Sequence, residues 1–545
     1  MSVVVTLRRH KLSGVCPPAR GAVIAEVTRA HPAPVWLVVA ADLKAAEHLA
    51  EDIAFFHAAS RNPRPQLTLV FPESMPESRD MREAFAASSD RLTVLSKLRA
   101  VRGLGGTPDS LVVITTPAAL LQPVPALEEF SRREVTLVRG QKQSFQGLLE
   151  QLQKLDYDSE AVCEAPGHYA IRGGIIDVYP VTANEPYRLD FFGDDLEEIR
   201  AFDPVTQRSG AHVESITLSA TPRVQLDASR TGLADYLSPS SHLVFIEPAT
   251  LEEEFSAFAR DGTDNLTPLL TKCAAAFGIS DLDEASALFD EGSSELTWDT
   301  ESLAHHRRYP DDALVAQERL QVEEEARRDF LRQIATWKKA GYDVAFVVSK
   351  EGEEQRTQEI LEDDPKLKGI KPRFLRGNLN EGFRATFRGR AGPLGPPGSP
   401  LATDDAGGPA LAALRWSTLA AKATGLVVVT ETEIFGRQRQ RRPALHQRVT
   451  AQRAQIDQLL DFSELVEGDF VVHLQHGIAL YRGLTKLDTA QGIREVISLE
   501  FDDQVTLHVP LQESHLISRY VGLSKAKPQL GRIGSGRWEK ARLAA

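Results

Sequence analysis

His473 and His476 form an H-x-x-H pair, a spacing at which two imidazoles can share a zinc ion. A zinc site needs further Cys, His or carboxylate ligands close by, and none frames this pair. The pair also falls on a predicted strand and turn, where neighbouring side chains do not gather on one face as they do along a helix. Cys16, Cys163 and Cys273 lie far apart and read as small core residues, not as a disulfide framework or a zinc knuckle. The acidic runs GDDLEE (193–198) and LEEEF (251–255) offer paired carboxylates, yet they read as a solvated turn and a helix face. A nucleotide hydrolase would need G-x-x-x-x-G-K-[ST], whose amides hold phosphates, whose lysine reaches them and whose hydroxyl binds magnesium. GVCPPARGAVIAE (14–26) has no Gly-Lys-Ser/Thr ending, and GLGGTPDS (103–110) has no lysine. A G-x-S-x-G nucleophile elbow is also absent. No catalytic constellation emerges, which favours docking over chemistry, with no cofactor and no metal expected in this chain.

Two apolar stretches carry arginines that need a reason. YAIRGGIIDVYP (169–180) reads as one strand, with Arg172 beside a Gly-Gly pair that lets it bend. PYRLDFFGDDLEEIRAFD (186–203) places Arg188 between Tyr187 and Leu189, and Gly193-Asp194 reads as a tight turn after Phe192. Two readings stand side by side. The guanidinium groups can face the carboxylates of a partner, with Phe192 as an aromatic anchor. Alternatively they pair with Asp177 or Asp190 on their own sheet, with Phe192 in the core.

The elements that must position these residues follow from apolar patterning. VWLVVA (35–40), QLTLVFP (66–72) and SLVVITTP (110–117) are short apolar runs of the kind buried in parallel sheets. A helical stretch, DLKAAEHLAEDIAFF, places Leu49, Ile53 and Phe56 on one face. This β/α alternation predicts a parallel sheet covered by helices over 1–120, resumed over 226–309, with an antiparallel β-module inserted at 121–225. A second, small α/β domain is expected over 310–436, with a long helix that puts Phe330, Ile334 and Trp337 on one side and stops at Gly341. The Pro/Gly-rich stretch 388–410 reads as a surface insertion, and 437–463 as a basic linker that is either a solvated connector or a strip for phosphate or partner. Residues 464–523 alternate apolar positions around Asp502-Asp503, namely Ile497, Leu499 and Phe501, then Val505, Leu507 and Val509, which predicts a hairpin within a small barrel. Residues 524–545 read as the start of a helix, capped by Ser535, that runs on beyond this chain.

Composition narrows the classes. At 42% hydrophobic and 26% charged, the chain has the make-up of a soluble globular protein. No apolar run approaches the roughly 18–20 residues that span a bilayer. The N-terminus lacks the pattern of a secretory leader, so a cytoplasmic location is expected. A net charge of −13 argues against non-specific coating of nucleic acid, and makes protein the default partner.

GHYAIRGGIIDVYP and EPYRLDFFGDDLEEIRAFDPVTQRS resemble the module shared by the excision-repair helicase subunit UvrB and the bacterial transcription-repair coupling factors, the Mfd family. GDFVVHLQHGIALYRGL and LEFDDQVTLHVPLQESHLISRYVG resemble the RNA-polymerase-interacting domain of that family, which is also found in CarD-type regulators. The resemblance covers essentially the whole chain, and the order of modules is that of the N-terminal half of a coupling factor. It implies a multidomain α/β protein: a UvrB-like domain without an ATP site, the inserted β-module, a second α/β domain and a C-terminal small barrel of SH3/Tudor type. The role it implies is transcription-coupled nucleotide excision repair, with binding to the RNA polymerase β subunit and to UvrA. ATP, magnesium and most contact with double-stranded DNA would belong to a translocase motor absent from this chain. A stand-alone CarD-like transcription regulator and a UvrB-like helicase subunit are the alternatives. Carried over by position, the UvrA-docking residues fall on Arg172, Arg188 and Phe192, and the polymerase contact falls on Leu487, between Lys486 and Asp488.

Overall fold

The computed structural model describes residues 7–59, 66–74, 81–103, 110–128, 133–183, 185–204, 207–221, 230–258, 266–289, 292–307, 316–349, 351–363, 367, 373–386, 423–435, 468–473, 476–489, 492–502, 505–510, 517–519 and 530–531. The chain forms two compact units, Met1–Arg308 with Ala326–Arg448, and Tyr309–Glu325 with Val449–Ala545.

The first unit is organised by a seven-stranded sheet in the order Ser294–Thr297, Arg8–Ser13, Ala275–Ile279, His242–Ile246, Val35–Val39, Ser110–Thr115, Gln66–Phe71. Every neighbouring pair is parallel. The apolar runs exist because both faces are covered. Trp36 and Val38 point into one apolar cluster with Leu49, Ile53 and Phe56 of the helix Leu43–Ala58. Val35, Leu37 and Val39 point into the opposite cluster, with Leu251 and Phe255 of the helix Pro248–Phe258. Asp42 caps the helix Leu43–Ala58, its carboxylate accepting from the Ala45 amide at 2.8 Å.

The chain leaves this sheet after residue 115 and returns at residue 242, and between them it builds a separate β-module. Six strands run in the order Ser209–His212, Asp195–Phe202, Tyr187–Phe192, Ile175–Val178, His168–Arg172, Asp158–Ser159. All pairs are antiparallel except the last. The helix Phe145–Lys154, capped by Ser144, buries Leu148 and Leu152 against one face. YAIRGGIIDVYP is therefore two strands and not one bent strand. Gly173-Gly174 makes a two-residue hairpin turn that pairs Arg172 with Ile175, and Gly173 takes φ 64°, a conformation glycine adopts without steric cost. The Gly193-Asp194 turn lies where the sequence places it, pairing Phe192 with Asp195.

A third sheet in the same unit has the order Thr300–Ser302, Phe383–Thr386, Gly425–Val429, Tyr342–Val348, Arg373–Arg376. Phe330, Ile334 and Trp337 of the helix Ala316–Lys339 are buried against one side of it. Its other side is not a separate surface. Phe383, Val347, Leu426 and Val428 belong to the same apolar cluster as Trp36 and Phe56, so the first and third sheets share one core.

The second unit contains a five-stranded antiparallel sheet in the order Thr506–Pro510, Gly492–Glu500, Gly477–Thr489, Phe470–His473, Ile517–Arg519. The predicted hairpin is present, with Ile497 opposite Val509 and Leu499 opposite Leu507. Ile497, Leu499, Phe501 and Val509 are buried, whereas Val505 is 45% exposed. The described pairings leave the Thr506–Pro510 and Ile517–Arg519 strands at the two edges.

Candidate protein-docking site

The loop after the first strand occupies the position of a phosphate cradle, but its amides are already engaged. Gly14 N–H donates to the Asp281 carbonyl at 3.1 Å, Val15 N–H to Ser280 at 3.0 Å, and Cys16 N–H to the Thr300 hydroxyl at 2.8 Å. Pro17 and Pro18 have no N–H to offer. Ala19 N–H closes on the Cys16 carbonyl and Arg20 N–H on that of Pro17. The Arg20 guanidinium is bonded to Glu247. A cradle works by aiming amides at a ligand, and these amides are aimed at the protein.

The other chemical candidates also have internal explanations. His473 is buried and stacks on His476 at 4.7 Å, with Phe501 edge-on. Burial, helped by His476, lowers the His473 imidazole to about 4, so it is neutral near pH 7. Among the described residues no cluster of three or more His, Cys, Asp or Glu side chains could hold a metal ion. All three cysteines are buried, which pushes their thiols up, that of Cys16 to about 11. In the acidic runs, Asp194 accepts from the Phe145 amide at 3.1 Å, and Glu252 clamps a loop by accepting from Ser286 at 2.6 Å and Leu288 at 2.9 Å.

The arginine strands give the β-module two unlike faces. Ile176, Leu189 and Ile199 stand opposite one another and point into the core. The adjacent row, Ala170, Asp177, Arg188 and Arg200, points to the other face, followed nearer the hairpin tips by Arg172, Ile175, Asp190 and Glu198. Asp177 is fully buried and takes a bidentate pair from Arg188, at 2.7 and 2.9 Å. Arg188 also donates to the Ser209 hydroxyl at 3.1 Å and lies over the Phe202 ring at 4.9 Å. Its hydrogen bonds to Asp177 raise its pKa further. Arg200 bonds Asp190.

Arg188 therefore does not reach outward. Its side chain is only 14% exposed and is committed to Asp177, the pairing on its own sheet that the sequence offered as the alternative. The physical reason is register: the antiparallel pairing of the Ile175–Val178 and Tyr187–Phe192 strands sets Arg188 directly across from Asp177. Arg172 is 42% exposed, with its Nε 3.9 Å from Asp177. Phe192 is 75% exposed, beside the Gly193 turn. A bulge between Asp190 and Phe191 accompanies a split of the two phenylalanines: Phe191 turns inward, edge-on to Phe145 at 5.3 Å, while Phe192 stands clear. An exposed aromatic and a half-exposed guanidinium on one sheet, braced by the buried Arg188–Asp177 pair, are suited to docking a protein.

In the second unit Leu487 lies on the Gly477–Thr489 strand opposite Arg494, and its side chain lies outside the described residues. Leu484, 50% exposed, is an apolar surface residue that sequence patterning did not single out, and Val505, one of the alternating apolar positions, is also exposed. Gly483, at φ 92°, sits in a register shift between Tyr481 and Leu484, and that glycine is the only signal for the reorientation of Leu484.

Two family models match the chain. One, a UvrB interaction domain, covers residues 135–223, and the other, a CarD-like/TRCF RID domain, covers residues 465–521. The chain is similar to the transcription-repair-coupling factor of Myxococcus xanthus, 23% identical over 98% of this chain and 47% of the relative. The corresponding factor of Escherichia coli is 25% identical over 96% of this chain and 46% of its own length. That of Bacillus subtilis is 20% identical over 98% and 47%. The chain thus spans less than half the length of each of these relatives.

Proposed function

We propose that this chain, a relative of the transcription-repair coupling factors that carries a UvrB interaction domain and a CarD-like domain, is the recruiting part of such a factor. It holds RNA polymerase, through the β subunit, with the domain at 465–521, and UvrA with the outer face of the β-module. The small sheet of the second unit closes into an SH3/Tudor-like barrel in this reading. Leu487 supplies the apolar part of the polymerase contact, which adds an extended strand to the sheet edge. No nucleotide hydrolysis belongs to the role, and the engaged amides of the Gly14–Ala19 loop support that assignment.

The observation that carries the reading is the exposure of Phe192 within the matched UvrB interaction domain, on the same sheet as the half-exposed Arg172. Arg188 acts one layer below, fixing Asp177 and so the sheet beneath Arg172. The test is Phe192→Ala in a binding assay with purified UvrA. Truncation of an exposed anchor is expected to weaken binding about tenfold or more, with folding and polymerase binding unchanged. UvrA binding equal to that of the unmodified chain would remove the assignment.

A further inference from the structure

Gln207 has a backbone that its side chain does not favour. It sits at φ 58° in the turn between the Asp195–Phe202 and Ser209–His212 strands, where glycine or asparagine is the usual occupant. Two backbone hydrogen bonds hold the turn: Gln207 N–H to the Asp203 carbonyl at 2.8 Å, and Asp203 N–H to that of Arg208 at 3.0 Å. The side chain is fixed as well. Its amide nitrogen donates to the Pro204 carbonyl at 2.7 Å, which determines which end of the amide faces outward. The oxygen end accepts from Arg172 Nη2 at 3.3 Å, across 35 residues of chain. The other partner of Arg172 is Asp177, at 3.9 Å and already held by Arg188.

We infer that Gln207 is a positioning residue that aims Arg172 at the partner. The inference rests on the proposed docking of UvrA at this face and extends it. A half-exposed arginine samples many rotamers in solution, and ordering it on binding opposes association. A locked glutamine oxygen on one edge of the guanidinium holds the group in place beforehand and leaves its remaining edge for a partner carboxylate, which Arg can take in bidentate fashion. Ser209, two residues on, accepts a hydrogen bond from Arg188, which stays committed to Asp177. The turn thus reaches over the sheet and steadies both arginines. A strained residue kept where glycine would fit is the mark of a side chain with a task.

The consequence is opposite effects on folding and binding. Gln207→Gly removes the strain, so the unfolding midpoint is expected to rise or stay level. Binding of purified UvrA is expected to weaken about fivefold, the scale of one hydrogen bond to a charged group on a wet surface. Gln207→Asn, which also accepts positive φ but is too short to reach Arg172, is expected to behave alike. A double-mutant cycle separates positioning from a general structural effect. The fivefold loss should vanish when Arg172 is already alanine, and persist in full when Phe192 is alanine. Unchanged affinity in Gln207→Gly, with Arg172→Ala and Phe192→Ala both weakened, would overturn the role of Gln207 alone. Persistence of the loss in the Arg172→Ala background would overturn the route through Arg172. If neither Arg172→Ala nor Phe192→Ala weakens binding, the docking face itself is wrong, and the role of Gln207 falls with it.

Discussion

Removal of Arg188 should damage the β-module before it affects any partner. Asp177 is fully buried and its two oxygens accept from Arg188 at 2.7 and 2.9 Å. Deleting one member of a buried, hydrogen-bonded pair costs about 3–5 kcal/mol, because the remaining charge is left without compensation. Two features reduce that figure here. Arg188 is 14% exposed, so part of the pair is screened, and Arg172 stands 3.9 Å from Asp177 and can swing closer. A loss of about 2–3 kcal/mol is therefore expected for Arg188→Ala. In amide hydrogen exchange this appears as protection falling by about 30- to 150-fold in the Ile175–Val178 and Tyr187–Phe192 strands, with the seven-stranded sheet unaffected. The double variant Asp177→Val/Arg188→Thr removes both charges, suits a strand, and should recover most of the protection. A loss below about 0.5 kcal/mol in Arg188→Ala, or no recovery in the double variant, would refute this reasoning and return Arg188 to the contact surface. Arg188→Glu would set a second carboxylate against Asp177, so its failure to bind UvrA would report an opened module and not a lost contact.

Three further outcomes follow from the same geometry. The His473 pKa is depressed by burial to about 4, below the ordinary 6.5, so the unfolded chain binds protons more readily than the folded one. Its contribution to stability is complete above about pH 6.5 and is lost as pH falls towards 4, and His473→Phe should flatten the urea stability of the second unit over that window. Phe383→Ala empties part of the core shared by the first and third sheets and should cost about 3–5 kcal/mol, with exchange protection falling in the helix Leu43–Ala58 as well as in the third sheet. Confinement of the loss to the third sheet would contradict a shared core. Millimolar Mg·ATP should leave the thermal unfolding of the chain unmoved, since a ligand that binds only the folded state raises stability in proportion to its occupancy; a clear upward shift would contradict the reading of the Gly14–Ala19 loop.

What could be read from the sequence divides along physical lines. The parallel sheet was legible because Val35–Val39 and its neighbours are buried on both faces, which leaves a continuous apolar run. The faces of the long helices were legible from spacing alone, as Phe56 and Trp337 show. The Gly173-Gly174 hairpin was missed because an apolar strand with a central Gly pair and two strands joined by that pair have the same pattern. The fate of the arginines could not be decided, since the Arg188–Asp177 pair depends on the register between two strands joined by the longer 179–186 connection, which no turn signal fixes. Phe192 and Phe191 are chemically identical in sequence, and their opposite burial accompanies a one-residue bulge. Gln207 carried no signal, because a positive φ at a glutamine and its reach to Arg172 exist only in three dimensions. The shared core of the first and third sheets was equally hidden: Phe56 and Phe383 are far apart in the chain, and nothing in either segment names the other.

The central claim is that one chain holds a polymerase and a repair protein at the same time through separate domains. Immobilised RNA polymerase, this chain and purified UvrA, combined without nucleotide, test it directly. The account predicts that UvrA is retained only when the chain is present. Phe192→Ala should release UvrA while the chain stays bound, and Leu487→Arg should release both. Retention of UvrA unaffected by Phe192→Ala, or no retention with the unmodified chain, would contradict the account.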